Sequence, residues 1–355
     1  MPDFESDFGY NNGLTLAEKL GVTLNRHFIT ENDMNVSKLL LSACCAATLL
    51  STPFTAMADT AKVAVSQIVE HPALDATRQG LLDGLKAKGY EEGKNLEFAY
   101  QTAQGNPAIA VQIARQFVGE KPDVLVGIAT PSAQALVAAT KSIPVVFTAV
   151  TDPVGAKLIK DMEKPNANVT GLSDLSPVAQ HVALAKELLP NMTSIGVVYN
   201  PGEANAVALV ELLREAADAQ GLKVVEGTAL KSADVQSAAQ IVASQADAIY
   251  APTDNTVASA IDGLVGAANQ AKKPVIGGAT SYIPNGAVAA LGFDYYQIGV
   301  QTADYVAALL NGEQVSALPA KVAVGSDLAI NLKAAQKLGL EVPQVLLDRA
   351  TTVEK

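Results

Sequence analysis

The chain has 355 residues, 49% of them hydrophobic and 17% charged, so it is long and apolar enough to bury two domain cores. Its formal net charge is −11, and no basic stripe runs along it. Because phosphate contacts need clustered lysine and arginine side chains, we expect no nucleic-acid partner.

An apolar segment near the N-terminus has the features of an export signal. After Met34, a short region that contains Lys38 precedes the apolar run 39–50, and residues 56–58 form an A-x-A cleavage site. The run is shorter than the roughly 20 residues that a membrane-spanning helix needs. We therefore predict a signal peptide at 34–58 and a mature protein that works in the periplasm.

Two features around this signal leave alternatives open. Residues 41–44 resemble a lipobox, which would make Cys44 a lipidated N-terminus, although few apolar residues separate it from Lys38. Residues 1–33 are polar and charged, so we interpret them as a mis-assigned start or a disordered extension. Cleavage after Ala58 would leave a mature chain without cysteine, which suits an oxidising compartment.

From Lys62 onward, short β-branched runs alternate with helical patterns rich in alanine and leucine, as in βαβ units with a parallel sheet. The first series has predicted strands at 63–67, 96–100, 124–128 and 145–148 and helices at 73–88, 107–119 and 131–140. The second series has predicted strands at 194–199, 223–227, 248–250 and 275–276 and helices at 203–220, 233–244 and 256–271.

The two series predict an α/β fold with two Rossmann-like lobes on parallel sheets, joined by a hinge of several strands. We expect the strand 287–291 and the helix 296–310 to return the chain to the first lobe. The predicted first lobe comprises 59–174 and 292–318, and the second comprises 175–291 and 319–355.

Three strand-to-helix junctions, at 126–132, 198–203 and 249–255, each combine a proline with capping or polar residues. Ligands of open parallel sheets bind beyond the carboxyl ends of the strands, where these junctions lie. Ordinary helix capping explains any single junction equally well. Hydroxyl groups suit a ligand carboxylate and acidic groups suit an ammonium; the hydroxyls are those of Thr130, Ser132 and Thr253, and the acids are Glu203, Asp254 and Asp294.

Aromatic side chains follow the later strands. Phe147 and Phe293 fit a core position, whereas Tyr282 and Tyr295 are better candidates for the wall of a pocket.

Several segments resemble a known family in order and spacing. They are EHPALD at 70–75, ATPSAQA at 129–135, VTDPVGA at 150–156, YNPGEAN at 199–205, APTDNTV at 251–257, DYY at 294–296 and INL at 330–332. From residue 63 to about 340, the chain is similar to the substrate-binding proteins of ABC transporters that are associated with tryptophan and tyrosine.

This resemblance implies a monomeric, periplasmic or lipid-anchored protein that closes on an amino acid, with an aromatic one expected, and delivers it to an ABC permease and its ATPase. A sensory module that reports to a membrane receptor is the alternative. Expected ligand-binding residues are Gln67, Thr130, Ser132, Thr148, Asp152, Asn200, Glu203, Asn205, Asp254, Asn255, Asp294 and Tyr295.

The sequence does not favour catalysis. After the predicted signal, His71 and His181 are the histidines, and neither lies in a recognisable catalytic motif. The position of His71 at a strand-to-helix turn is compatible with a place in the lining of a cleft. We interpret Gly80 and Gly84 as positions of close packing rather than as a phosphate-binding loop. We expect no cofactor and no metal; a cofactor-free isomerase or hydrolase would be revealed by turnover of its ligand.

Overall fold

The computed structural model describes residues 60–164, 168–325 and 327–355. The predicted signal peptide at 34–58 and the extension 1–33 lie outside the described residues. The described chain forms two α/β lobes, each built on one sheet, as the sequence predicted. Within these ranges, no helix is sufficiently long and apolar to cross a membrane.

The first lobe is built on a six-stranded sheet with the strand order β11-β5-β4-β3-β1-β2, in which every pair is parallel. Its strands are β1 (Ala61–Gln67), β2 (Leu96–Thr102), β3 (Val124–Ile128), β4 (Val145–Val150), β5 (Val169–Ser173) and β11 (Lys321–Val322). Its helices are α1 (Pro72–Ala87), α2 (Pro107–Glu120), α3 (Thr130–Ala139) and α9 (Tyr295–Leu310).

The second lobe is built on a seven-stranded sheet with the strand order β13-β12-β10-β9-β8-β6-β7. Its strands are β6 (Ser194–Tyr199), β7 (Lys223–Thr228), β8 (Ala248–Ala251), β9 (Val275–Gly277), β10 (Ala289–Gly292), β12 (Asp327–Asn331) and β13 (Thr352–Glu354). Its helices are α4 (Val178–Leu188), α5 (Ala204–Ala219), α6 (Val235–Ala243), α7 (Asn255–Ala258), α8 (Ile261–Gln270), α10 (Leu332–Lys337) and α11 (Gln344–Arg349).

The central strands of both sheets are buried over their whole length, which explains why they appear in the sequence as unbroken apolar runs. Helices pack in pairs around each sheet: α1 with α9 and α2 with α3 in the first lobe, and α4 with α5 and α6 with α8 in the second. One pairing departs from the predicted parallel pattern, because β12 runs antiparallel to β10.

Three segments connect the lobes, between β5 and α4, between β10 and α9, and between β11 and β12. The strand at 287–291 does not itself return the chain to the first lobe, since β10 pairs with β9 and β12 in the second sheet. It lies within the predicted second lobe, 175–291. The return takes place after this strand, at Gly292–Tyr295. The last connection also lies later than residue 318, because Lys321–Val322 pairs with β5.

The predicted helix 256–271 is instead two helices, α7 and α8, separated at Ser259 and Ala260. The backbone leaves the helical conformation at Ala260, with φ −131° and ψ 28°. At the start of the first helix, buried carboxylates accept hydrogen bonds from the backbone N–H groups of residues 255–257.

Glycines permit the close approach of α1 and α9, which holds the returning helix on the first lobe. A methyl group at Gly80 would overlap the carbonyl oxygen of Tyr296, and one at Gly299 would overlap the carbonyl oxygen of Thr77. The interpretation of Gly80 as a close-packing position is thus confirmed. The same contact fixes the start of α9, where Tyr295 lies.

The two lobes lie against each other at the carboxyl ends of their strands. One cluster of buried apolar side chains continues from the first sheet into the α6, α7 and α8 side of the second lobe. Helix α3 of the first lobe also contacts α5 of the second. The lobes therefore enclose the space between them.

Candidate ligand-binding cavity

A cavity lies between the lobes and is walled by both of them. The first lobe contributes His71, Ala73, Leu74, Ala149, Thr151 and Tyr295. The second lobe contributes Asn205, Thr253, Asp254, Asn255, Ala279 and Tyr282. In this conformation the space between these side chains leaves about 20 Å³ for the centre of a water molecule, which is room for about one water. A larger ligand therefore requires the lobes to move apart before they close on it.

Asp254 is the acidic group of the second-lobe wall and is fully buried. Its Oδ1 accepts a hydrogen bond from the backbone N–H of Val257 at 2.9 Å, as the N-cap of α7, and its Oδ2 accepts one from that of Asn200 at 2.6 Å. Burial, and next the negative charge of Glu203, raise the pKa of Asp254, and they outweigh these backbone hydrogen bonds. A cation beside Asp254 would relieve this cost.

Glu203 lies behind Asp254 and is buried as well, with 7% of its surface exposed. Its Oε1 accepts hydrogen bonds from the backbone N–H and the hydroxyl of Thr256, at 3.1 and 2.8 Å. Its Oε2 accepts from the backbone N–H and side-chain amide of Asn255, at 3.2 and 2.5 Å, and from the amide of Asn205 at 3.3 Å. Glu203 therefore fixes the wall residues in place, and its oxygens are already occupied.

A third buried carboxyl group, Asp174, borders the cavity from the connection between β5 and α4. Its Oδ2 accepts a hydrogen bond from the hydroxyl of Tyr295 at 2.7 Å, and its Oδ1 accepts one from the hydroxyl of Thr151 at 3.3 Å. Burial raises the pKa of Asp174. These bonds join the connection to the start of α9, so they hold Tyr295 in the wall.

His71 lies at the start of α1 with 9% of its surface exposed. Burial lowers its pKa to about 4, against the raising effects of a side-chain hydrogen bond with Asn255 and of the charge on Asp75. His71 is therefore neutral at pH 7. Asn255 lines the same cavity from the second lobe, so polar groups of both lobes meet there.

Several buried polar atoms of the wall find no hydrogen-bond partner within the described parts of the chain: His71 Nε2, Asn205 Oδ1 and Thr253 Oγ1. Most buried polar groups in folded proteins are satisfied, so such a cluster calls for an explanation. In the same described residues, no lysine or arginine lines the cavity. The wall thus offers hydrogen-bond acceptors and negative charge to whatever enters it.

Four of the residues predicted from the sequence line this cavity: Asn205, Asp254, Asn255 and Tyr295. Glu203 and Asn200 lie behind them. The amide of Asn200 donates to the hydroxyl of Thr256 at 2.8 Å, which helps to hold the same loop.

The remaining predicted residues of the first lobe are placed away from the cavity wall. Thr130 and Ser132 are buried at the start of α3, where the hydroxyl of Ser132 lies 3.4 Å from that of Ser66. Thr148 shares a hydrogen bond of 2.7 Å with Thr302 of α9. Gln67 donates to Asp75 at 2.8 Å.

Two predicted acidic residues accept hydrogen bonds from backbone N–H groups instead. Asp152 accepts hydrogen bonds from the N–H groups of Val154 and Gly155 in the turn after β4. Asp294 is the N-cap of α9 and accepts from the N–H groups of Tyr296 and Gln297. Neither lines the cavity.

His71, Thr151 and Asp174 were not among the predicted ligand-binding residues, although all three line the cavity. A signal was available for two of them, since Thr151 and Asp174 come directly after the buried strands β4 and β5. Tyr282, which the sequence did suggest as a wall residue, donates its hydroxyl to the carbonyl of Pro252 at 3.0 Å.

Nothing in the described residues forms a metal centre, since no group of three or more histidine, cysteine or acidic side chains is suitably placed. The cavity offers the polar contacts of a binding site for a small organic ligand.

The sequence profile described as ABC transporter substrate binding protein matches residues 62–354. A tyrosine-binding protein of Clostridioides difficile is 37% identical over 76% of this chain and 78% of its own length. A conserved domain protein of Vibrio cholerae, solved by crystallography, is 74% identical over 83% of this chain and all of its own, with a TM-score of 0.83. A Streptococcus pneumoniae structure in complex with L-Trp is 36% identical over the same shares, with a TM-score of 0.80.

Proposed function

Since the chain belongs to the family of ABC transporter substrate-binding proteins, we propose that it captures an amino acid in the cavity between its lobes and delivers it to a membrane permease and its ATPase. The protein is exported, acts in the periplasm as a monomer and returns its ligand chemically unchanged. The signal at 34–58 supports the export.

The observation that carries this proposal is a set of three buried carboxyl groups without a cationic partner. Asp254 and Asp174 are buried in the cavity wall and Glu203 lies just behind, and no lysine or arginine of the described chain lines the cavity. Burial raises the pKa of Asp254 and of Asp174, so their ionised forms need a cation beside them. A buried charge is costly unless it is paired. The α-ammonium group of an amino acid supplies the missing cation and three N–H donors for the unpartnered acceptors.

The carboxylate of the ligand fits the opposite wall. Ala73 and Leu74 line the cavity in the first turn of α1, where a helix leaves backbone N–H groups without an internal acceptor. The hydroxyl of Thr253, which lies next to Asp254 on the second-lobe wall, lacks a partner in the described chain and is a further donor from that side. This assignment replaces the predicted carboxylate site at Thr130 and Ser132, which lie outside the wall.

An aromatic side chain suits the rest of the cavity. The rings of Tyr282 and Tyr295 form part of its wall, one from each lobe, and aromatic pairs gain stabilisation beyond their buried area. A relative that binds tyrosine and another solved with L-Trp support the same ligand class.

The full chain, which contains no tryptophan, allows a direct test by fluorescence and calorimetry. L-tryptophan, L-tyrosine and L-phenylalanine are titrated alongside tryptamine, which lacks the carboxylate, and indole-3-propionate, which lacks the amine. We expect saturable binding of at least one aromatic amino acid, with both analogues at least tenfold weaker. Binding of no amino acid, or equal binding of the amine-free analogue, would contradict the proposal.

A further inference from the structure

The imidazole of His71 occupies a position that the proposed function does not yet use. It comes from the first lobe, lines the same cavity as Asn255 of the second lobe and has 9% of its surface exposed. Its Nε2 is buried and has no hydrogen-bond partner in the described chain. His71 therefore presents an unpartnered ring nitrogen to the ligand space.

The chemistry of a neutral imidazole indicates what this nitrogen can do. Such a ring has one N–H and one lone pair, and either nitrogen can carry the proton. With the proton on Nδ1, the ring offers the lone pair of Nε2 to a donor in the cavity. The oxygen Asn205 Oδ1 is a second unpartnered acceptor of the wall.

We propose that His71 is a positioning residue for ligand capture: in the closed protein its neutral ring accepts a hydrogen bond from the ligand ammonium at Nε2. Asn205 Oδ1 and Asp254 are the acceptors from the second lobe. The ligand ammonium would then join the two lobes. This inference rests on the proposed function and adds a pH dependence to it.

Protonation of His71 opposes capture for two reasons. It converts Nε2 from an acceptor into a donor, and it sets a positive charge against the ligand ammonium. The other titratable groups around the cavity are Asp75 on α1, Asp174, Asp254 with Glu203, and the two wall tyrosines. The negative charges of these acids favour protonation of the His71 ring, but the effect of burial is larger and keeps the ring neutral in the closed protein.

The size of the effect depends on the open arrangement, in which we expect His71 to meet water and to titrate near the ordinary histidine pKa of about 6.5. Only open molecules with a neutral His71 ring can then close on the ligand, and their fraction falls from roughly nine-tenths at pH 7.5 to about one-tenth at pH 5.5. His71 therefore weakens ligand binding about tenfold over this interval. The ammonium and carboxylate of the ligand keep their charges throughout.

The test compares the full chain with its His71→Gln variant by calorimetry with L-tryptophan at pH 7.5 and 5.5. Glutamine retains a side-chain oxygen that can accept a hydrogen bond from the ammonium, but it does not titrate. We expect the parent to lose about tenfold more affinity than the variant on acidification. Titration of Asp254 and Asp174 is common to both proteins and cancels in this comparison.

His181→Gln is the matched control, because His181 is also buried but has both ring nitrogens hydrogen-bonded inside the second lobe, to Tyr250 and the carbonyl of Leu291. Its pH response should equal that of the parent. An equal response in the parent and in His71→Gln would overturn the inference while leaving the proposed function intact. Failure of the parent to bind any amino acid would overturn both.

Proton NMR of the parent protein gives a second readout, which does not require that any variant folds. The chain has three histidines, so their ring signals are resolvable, and the His71 signal is the one whose response the ligand should change. We expect this signal to titrate near pH 6.5 in the free protein and to stay neutral down to pH 5 at saturating ligand. A set of histidine titrations that ligand leaves unchanged would contradict the inference.

Discussion

The cavity depends on a carboxylate that does not itself face the ligand. Both oxygens of Glu203 are occupied by N–H and hydroxyl groups of residues 255 and 256 and by the amide of Asn205. This arrangement explains why Asp254 and Asn255 are held rigidly in the wall. It also keeps a second negative charge close to Asp254.

Glu203→Gln tests this role. An amide can satisfy the donors on one side only and places an NH₂ group against donors on the other, so we expect a loss of about 1–3 kcal/mol in the free energy of unfolding. Ligand affinity should fall at least tenfold, since the loop that carries Asp254 is no longer fixed. Urea denaturation and calorimetry measure the two effects.

Glu211→Gln on the same helix is the control for that substitution, because Glu211 is exposed. It should change neither quantity appreciably. If Glu203→Gln matches Glu211→Gln in stability and affinity, Glu203 does not position the wall.

At the residue scale, the sequence identified Asp254 as an acid of the cavity wall, but it did not show which hydroxyl groups face the cavity. Asp254 and Asn255 follow a buried strand, and this position was enough to predict them. Thr130 and Ser132 share that position after β3, yet Ser132 turns toward Ser66 and both lie away from the wall. The distinction depends on side-chain direction, which a strand-end pattern does not contain.

At the scale of the elements, the α1 and α9 pair determines where the chain re-enters the first lobe. Its backbones approach so closely at Gly80 and Gly299 that a side chain at either position meets a carbonyl oxygen. Gly299 lies one turn beyond Tyr295, so the packing of α9 also places a wall residue of the cavity.

Gly299→Ala should therefore destabilise the protein by about 1–3 kcal/mol through overpacking. Gly266→Ala is the matched control, since Gly266 lies inside α8 with no atom within 4 Å of an added methyl group. There alanine should be neutral or stabilising by up to about 1 kcal/mol. Thermal and urea unfolding of both variants measure the difference, and equal effects would refute the close-packing account.

Most elements were predictable because their periodicity is local, and the helix 296–310 is an example, observed as Tyr295–Leu310. The pairing of strand 289–292 with β9 and β12 was not predictable from local periodicity, because the antiparallel partner β12 is remote in sequence. The break between α7 and α8 also escaped prediction, because the apolar pattern of 256–271 continues through Ala260, where the backbone leaves the helical conformation.

At the scale of the whole molecule, three connections join two lobes, and the cavity exists because the lobes lie together. Its wall runs in sequence from His71 to Tyr295, so no local pattern could define it. The family resemblance supplied the expectation of a cleft. The structure supplies its chemistry, which is an acceptor-rich, negatively charged space with aromatic walls.

The central claim is that the ligand ammonium pairs with Asp254, and one thermodynamic cycle tests it most directly. L-tryptophan and indole-3-propionate are titrated by calorimetry into the full chain, into Asp254→Asn and into Asp262→Asn, an exposed acid of the same lobe. We predict that the amine improves affinity at least tenfold in the parent and in Asp262→Asn but has almost no effect in Asp254→Asn. An amine that contributes equally in all three proteins would contradict the account.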